Sequence, residues 1–422
     1  MRPGLSTRML AGLMAGATAG VLAHVAFADS ALLEAVISYG TEPIGKIFLR
    51  LLFMLVLPLV VAALALGVAG LRDLRQLGRI GVKTLVYTVA VSGIAVVLGV
   101  ALVDIIRPGD GLSPELRDTL AARAVAPPAA ALAGGATGMD FLVQLVPGNV
   151  VKAMADGDML AVMVFALLLG IGLVLTPGDA ARAFERGLQG LYDVTMRLLD
   201  IVIRLAPLGV ACLLFTLTAR LGYDILRQLA WYVLTVVLAL AIHQFGVYSL
   251  AVRWLGGMSP RAFFRAVRPA MVTAFSTASS NATLPTALQV AEDALHLPRQ
   301  VSRFVLSIGS TANQNGTALF EGVTVLFLAQ FYGVELSLGQ QVLVVLICIL
   351  GGIGTAGVPA GSIPVIAMIL GMIGIPPDGI GIVLGVDRLL DMCRTTVNVT
   401  GDLAAAVVVA RGEHPEAVSR PA

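Results

Sequence analysis

Six apolar stretches, each able to supply the twenty or so residues a helix needs to cross a bilayer, occupy the chain near residues 9–28, 43–71, 80–105, 141–176, 187–222 and 226–255. Backbone that leaves water must satisfy its own hydrogen bonds, so these stretches are predicted to be spanning helices. The rest of the composition agrees. Over 422 residues the chain is 58% hydrophobic and only 13% charged, with a mean hydropathy of +0.92, which excludes a soluble enzyme of this size.

A net charge of +2, with the basic residues scattered through short loops, gives no footprint for nucleic acid. Cys212, Cys348 and Cys393 are far apart in apolar or helical surroundings, so they build neither a disulfide framework nor a CxxC motif. His24, His243, His296 and His414 lack zinc-site spacing. No cofactor is expected, and no nucleophile and base are evident. Met9 to Ala28, which follows Arg2 and Arg8 and ends Ala26-Phe27-Ala28, could be read as a signal peptide. Its apolar run exceeds the roughly 7–15 residues of such a core, and an uncleaved first span is the better reading.

Basic clusters follow the second stretch (Arg72, Arg75, Arg79, Lys83) and the sixth (Arg253, Arg261, Arg265, Arg268). Because Lys and Arg concentrate in cytoplasmic loops, both clusters, the N-terminus and Arg411 near the C-terminus are expected inside, in a multi-pass protein of the cell inner (plasma) membrane. The loop from about 106 to 140, with its Pro/Gly/Ala-rich AVAPPAAALAGGATG, then lies outside as a flexible connector.

The remaining third of the chain breaks this pattern twice in the same way. STASSNATLP (276–285) and GGIGTAGVPAGSIP (351–364) interrupt apolar segments, and each is followed by an apolar helix with a polar insertion. The first insertion is Asn313-Gln314-Asn315-Gly316-Thr317. In the second, Asp387, Asp391, Arg394, Thr395, Asn398 and Asp402 fall within an arc of roughly 100° at about 100° per residue. Hairpin tips at membrane depth must be buried or line a cavity, and paired interrupted segments mark the binding site of a secondary transporter. A charge at the bilayer centre costs about 2.5–3.5 kcal/mol, so the stripe faces a protein interior or a water-filled cavity. It suits something small and charged.

These residues resemble the dicarboxylate/amino acid:cation symporters, the family of the glutamate and aspartate transporters. The resemblance runs from the first span to the last and is most specific in ATLP, NQNGTAL, GTAGVPAG and DMCRTTVNVTGD. It implies an all-α polytopic fold of eight transmembrane helices plus two re-entrant hairpins in inverted repeats, a homotrimer in membrane lipid, and elevator-type alternating access. The division it implies is scaffold helices 1–2 (1–78), transport-domain helix 3 (79–105), an external loop (106–140), scaffold helices 4–5 (141–222), transport-domain helix 6 (223–257), a transport-domain core of hairpin 1, helix 7, hairpin 2 and helix 8 (258–412), and a cytoplasmic tail (413–422).

The resemblance also assigns roles. Arg394 matches the arginine that binds a side-chain carboxylate, for which its planar fork is suited. Asp391 matches the acceptor of the α-amino group, with Thr395 beside it, and Asn398 matches the donor to the main-chain carboxylate. Ser279, Ser280, Thr317, Val358, Ala360, Gly361 and Ser362 would complete the enclosure. Oxygens around Gly309, Asn313, Asn398 and Asp402 would form one Na+ site, and backbone around Thr311, Gly352, Ile353 and Thr355 a second. Glu321 resembles a proton-carrying glutamate.

The expected function is therefore symport of L-glutamate or L-aspartate with Na+, a proton being a further candidate coupling ion. The alternatives are a C4-dicarboxylate or neutral amino acid symporter of the same family, or an ion channel. The chain departs from the family pattern at Asn315, where many members carry an aspartate, and at Thr88 and Val91, which replace oxygen-bearing positions; a third Na+ site is expected to be missing. Ala278 and Met392 stand where other members carry a second arginine.

Overall fold

In the computed structural model, residues 5–27, 30–70, 79–111, 146–156, 159–354 and 362–413 are described, and among them the regular structure is entirely helical. The main helices are α1 (Leu5–Phe27), α2 (Glu42–Phe53), α3 (Val56–Gly70), α4 (Arg79–Ile106), α5 (Met159–Leu175), α6 (Asp179–Ile203), α7 (Ala206–Leu221), α8 (Asp224–Ile242), α9 (Pro260–Thr277), α10 (Ser280–Gln289), α11 (Arg299–Ala312), α12 (Asn315–Phe331), α13 (Leu338–Gly354), α14 (Ile363–Met372) and α15 (Leu384–Ala410). The expected loop at 106–140 lies almost wholly outside the described residues.

Four described helices or helix runs are long and apolar enough to cross a membrane: Thr7–Phe27, Ala31–Ala69, Arg79–Ile106 and Asp224–Leu255. α6 and α7 make a fifth if the bent pair counts as one span. Their outward faces are apolar too, with Val82, Val86 and Val97 of α4 and Trp231 and Leu234 of α8 among the exposed side chains. Apolar surface of that extent belongs against lipid rather than water.

Three expected spans are interrupted, and prolines account for two of the breaks. The stretch 43–71 turns at Met54 and Leu55, just before Pro58, which has no N–H for the ladder and crowds the preceding turn. The stretch 187–222 bends by 56° between α6 and α7, where Pro207 occupies the first turn of α7, a position that proline tolerates. The stretch 141–176 divides into a short helix, Val150–Asp156, and α5.

α1 lies along α7 through a row of glycines four residues apart. A β-carbon on Gly12 or Gly16 would collide with the main-chain oxygens of Pro207 and Ala211, so only glycine permits this approach, as at other small-residue interfaces between membrane helices. At the centre is α12, buried along its length except at Gln330 and packed against α4, α8, α13, α14 and α15. Tyr232 of α8 stacks on Phe327 with centroids 4.5 Å apart and hydrogen-bonds Thr324 at 2.8 Å.

α9 and α10 fold back on one another across a two-residue turn. Ala278 adopts the left-handed conformation (φ 49°) that ends α9, and the Ser279 side chain caps α10 by accepting from Ala282 N. The Thr283 hydroxyl donates to Ser279 O at 2.8 Å, which fixes the turn. The segment between α13 and α14 falls outside the described residues.

At the other end of α15, Glu413 accepts from Arg79 (2.7 Å) and Lys83 (2.8 Å) of α4, while Arg411 donates to the carbonyls of Trp254 and Leu255. Hydrogen bonding from Arg79 and then Lys83 holds the Glu413 carboxyl down at about 2, from its ordinary 4.5. A depressed carboxylate stabilises the fold fully above its unfolded pKa and loses that contribution as pH falls toward its folded one. The protection of the 411–413 amides, taken relative to their intrinsic exchange rate at each pH, is therefore expected to be full above pH 4.5 and to be lost between 4.5 and about 2. Glu413→Gln is expected to exchange fast at both ends; unchanged protection in that variant would refute the clamp.

Candidate functional site

α15 carries the site because its polar positions fall on the side that packs against α9, α11 and α12. The stripe is buried at every predicted position: Asp387, Asp391, Arg394, Thr395, Asn398 and Asp402 are each under 5% exposed. Arg394 donates through Nε to Asp391 (3.0 Å) and through Nη1 to Asp387 (3.0 Å), and its guanidinium carbon lies 4.3 Å from the centroid of the Phe320 ring. A fork with a carboxylate on two of its nitrogens and an aromatic face beside it is built for planar anion recognition.

About one turn further along, Asn398 joins α15 to the start of α12. Its Oδ1 accepts from Gly316 N (2.7 Å) and Thr317 N (3.3 Å), capping a helix end whose first N–H groups have no partner within the helix. Its Nδ2 donates to Gln314 Oε1 (2.6 Å) and Thr317 Oγ1 (3.0 Å). The amide oxygen is thus committed, and what Asn398 has to offer a cation is its main-chain carbonyl. Gly316 allows the junction to close, since a β-carbon there would sit 2.5 Å from Arg394 O.

The chain is unwound between α11 and α12, where Asn313 (φ −100°, ψ 63°) and Gln314 (φ −96°, ψ 56°) leave the helical region. Asn313 donates to Asp402 Oδ1 at 2.9 Å, while its own buried Oδ1 has no partner among the described residues. Gly309 makes room for that carboxylate; a β-carbon would lie 2.5 Å from Asp402 Oδ1. Two side-chain oxygens beside unwound backbone form a donor set suited to a hard cation.

Of the other predicted residues, Ser280 and Ser362 are buried with hydroxyls that find no hydrogen-bond partner among the described residues. Ser279 caps α10, and Thr311 is exposed on α11, bonded to Ile308 O. Gly352 and Ile353 belong to the last turn of α13, and a β-carbon on Gly352 would come within 3.5 Å of Gln314 O. Thr355, Val358, Ala360 and Gly361 lie outside the described residues. Glu321 is fully buried, with neither carboxyl oxygen hydrogen-bonded among the described residues, one turn past Thr317 on α12.

Asn315 has both ends of its amide engaged: Ser92 donates to Oδ1 at 2.6 Å, and Nδ2 donates to the Tyr248 hydroxyl at 3.1 Å. Sequence reasoning left several contributors without a role. Gln314 bridges Asn398 and Ser310 O, Asp387 is the second partner of Arg394, and Phe320 provides its ring. Arg388 also reaches Asp391, at 3.4 Å. It sits only about 20° outside the polar arc at 100° per residue, a margin too small to exclude a long side chain.

The family model described as the sodium:dicarboxylate symporter family matches residues 5–412. The chain is 35% identical to the proton/glutamate-aspartate symporter of Escherichia coli (strain K12) over 88% of its own length and 85% of that protein. It is 32% identical to the proton/sodium-glutamate symport protein of Bacillus subtilis (strain 168) over 97% and 93%. It is also 32% identical to C4-dicarboxylate transport protein 1 of Mesorhizobium japonicum (strain LMG 29417 / CECT 9101 / MAFF 303099), over 89% and 78%. With its polar stripe buried inside an apolar helical protein and this match along nearly its whole length, the chain belongs to the sodium:dicarboxylate symporter family, whose members are membrane transporters and not enzymes.

Proposed function

We propose that this symporter imports L-aspartate or L-glutamate together with Na+. The observation that carries the reading is the buried pairing of Arg394 with Asp391 one turn away on the same helix face. An amino acid with an acidic side chain presents a carboxylate for the guanidinium and an ammonium for the aspartate. A C4-dicarboxylate has no cation to offer Asp391, and a neutral amino acid has no side-chain carboxylate to offer the Arg394 fork, so each would make only half of these charged contacts. The names of two relatives, a proton/glutamate-aspartate symporter and a proton/sodium-glutamate symport protein, support this substrate class, whereas that of C4-dicarboxylate transport protein 1 supports the dicarboxylate alternative.

In this reading the Ser280 and Ser362 hydroxyls, with Thr317, Thr395 and Asn398, complete the enclosure. Asp402 and Asn313 hold one Na+, with main-chain oxygens of Gly309 and Asn398. The second hairpin, α13 with α14, is the outer gate. The α9–α10 and α13–α14 pairs are the two re-entrant hairpins, and with α4, α8, α11, α12 and α15 they form a domain that moves against α1–α3 and α5–α7 in an elevator cycle within a homotrimer, both termini cytoplasmic. The Ser92–Asn315–Tyr248 bonding supports the loss of a third Na+ site, because the amide that replaces the usual carboxylate is already spent.

Proteoliposome uptake of labelled L-aspartate, L-glutamate, L-alanine and succinate, with Na+ and proton gradients imposed separately, tests this. Accumulation of the two acidic amino acids at least tenfold above L-alanine and succinate is expected, with a Na+ dependence shallower than three ions. Preferential succinate uptake, or conduction without a substrate gradient, would refute it. If Glu321 carries a coupled proton, Glu321→Gln flattens the pH dependence of uptake; an unchanged profile assigns the carboxyl to packing.

A further inference from the structure

We propose that Arg388 is the second cationic residue of the substrate site, a positioning residue that holds Asp391 and thereby frees Arg394 for the substrate. This rests on the acidic amino acid reading above. Asp391 has an arginine three residues before it and another three residues after it, and on a helix both are neighbours. Its Oδ1 accepts from Arg394 at 3.0 Å and its Oδ2 from Arg388 at 3.4 Å, so each guanidinium takes a different carboxylate oxygen.

Charge balance gives the arrangement its purpose. Asp387 and Asp391 both bind Arg394, and with Arg394 alone these buried groups would carry a net negative charge, in just the place where an anionic substrate must arrive. Arg388 brings the cluster to neutrality. It also offers Asp391 somewhere to go: when the side-chain carboxylate of the substrate takes the Arg394 fork, Asp391 loses that contact yet keeps Arg388 while it receives the substrate ammonium.

The position of Arg388 suits such a handover. Its side chain is 18% exposed, against 2% for Arg394, and it borders a cleft whose opposite wall is Met9, Phe48, Leu52, Ile203 and Val210, all from α1, α2, α6 and α7. Asp387 and Asp391 are the only carboxylates lining that cleft among the described residues. Arg388 thus sits at the seam where α15 meets α1 and α7, with Asp387 and Asp391 beside it and apolar side chains lining the rest of the cleft.

The test is a double-mutant cycle on purified protein in NaCl, with L-aspartate binding read by calorimetry and uptake read in proteoliposomes. Arg388→Gln is expected to raise the L-aspartate Kd and KM at least tenfold with Vmax within threefold, and Arg388→Lys to return both constants to within threefold of wild type. In the Asp391→Asn background, which itself weakens binding by removing the acceptor of the substrate ammonium and is therefore titrated to millimolar L-aspartate, Arg388→Gln is expected to change the Kd less than twofold, since the group it serves has lost its charge. That double variant buries no unpaired member of the pair, so the comparison with Asp391→Asn stands even if Arg388→Gln alone is not recovered. Unchanged affinity in Arg388→Gln, loss of Vmax alone, or a full tenfold effect persisting in the Asp391→Asn background would overturn the proposal. If wild-type protein fails to bind L-aspartate and L-glutamate, the substrate reading falls instead.

Discussion

Replacing Arg394 with alanine is expected to abolish saturable uptake of L-aspartate, raising the half-saturating concentration by at least two orders of magnitude. The guanidinium is 2% exposed and bonded to both Asp387 and Asp391, with the Phe320 ring 4.3 Å away. Truncating one member of a buried ion pair costs about 3–5 kcal/mol because the remaining charge is left uncompensated, and each 1.4 kcal/mol is about tenfold in affinity. Here Asp387 loses its arginine and Asp391 loses one of its two, and the site is left with a net negative charge where an anion must bind. Arg394→Lys separates charge from shape: it keeps the cation, loses the fork, and is expected to retain measurable but weakened uptake. Substrate titrations of both variants in proteoliposomes check this, with monodispersity in detergent showing that the protein is intact. Uptake by Arg394→Ala within threefold of wild type would refute the assignment of the substrate carboxylate to this residue.

The second large effect is expected at Asp402. Asparagine has nearly the same shape and can keep a hydrogen bond to Asn313, so the space opened by Gly309 remains filled and the break between α11 and α12 remains intact. What disappears is the one charge next to Asn313 Oδ1, and removing a buried charge from a charged contact costs about 2–5 kcal/mol. Asp402→Asn is expected to shift the half-saturating Na+ concentration upward by at least tenfold, with L-aspartate affinity at saturating Na+ changed only a few fold. Na+ titrations of uptake check this. An unaltered Na+ dependence would make Asp402 a satisfied carboxylate in a helix interior and move the cation elsewhere.

Arg394 and Asp402 were both legible in the sequence because a helix converts spacing into direction. Once residues 387–402 are taken as helical, the polar arc follows from 100° per residue, and burial of that arc follows from the cost of charge in lipid. The breaks in the second and fifth apolar stretches follow from Pro58 and Pro207 in the same local way. The turn at Ala278–Ser279 coincides with the polar interruption expected there.

The partners across helices were not legible. That Asn398 caps α12 while Asn313 meets Asp402 depends on which turn of α15 lies against the unwound segment, and residues more than eighty positions apart set that register. Glycines at 309 and 316 decide it by letting a carboxylate and a backbone approach, and nothing in a glycine's sequence context states what it will face. Arg388 was hidden for a different reason. An arc drawn from backbone geometry ignores the reach of a long side chain, and the cleft that Arg388 shares with Asp391 is lined by residues of helices distant in the chain. The sequence by itself determined an all-helical membrane symporter and its buried polar stripe, since local periodicity and the energetics of burial are properties of single segments. The tertiary structure alone decided which charges neutralise one another, because pairing depends on distances between segments that only packing sets.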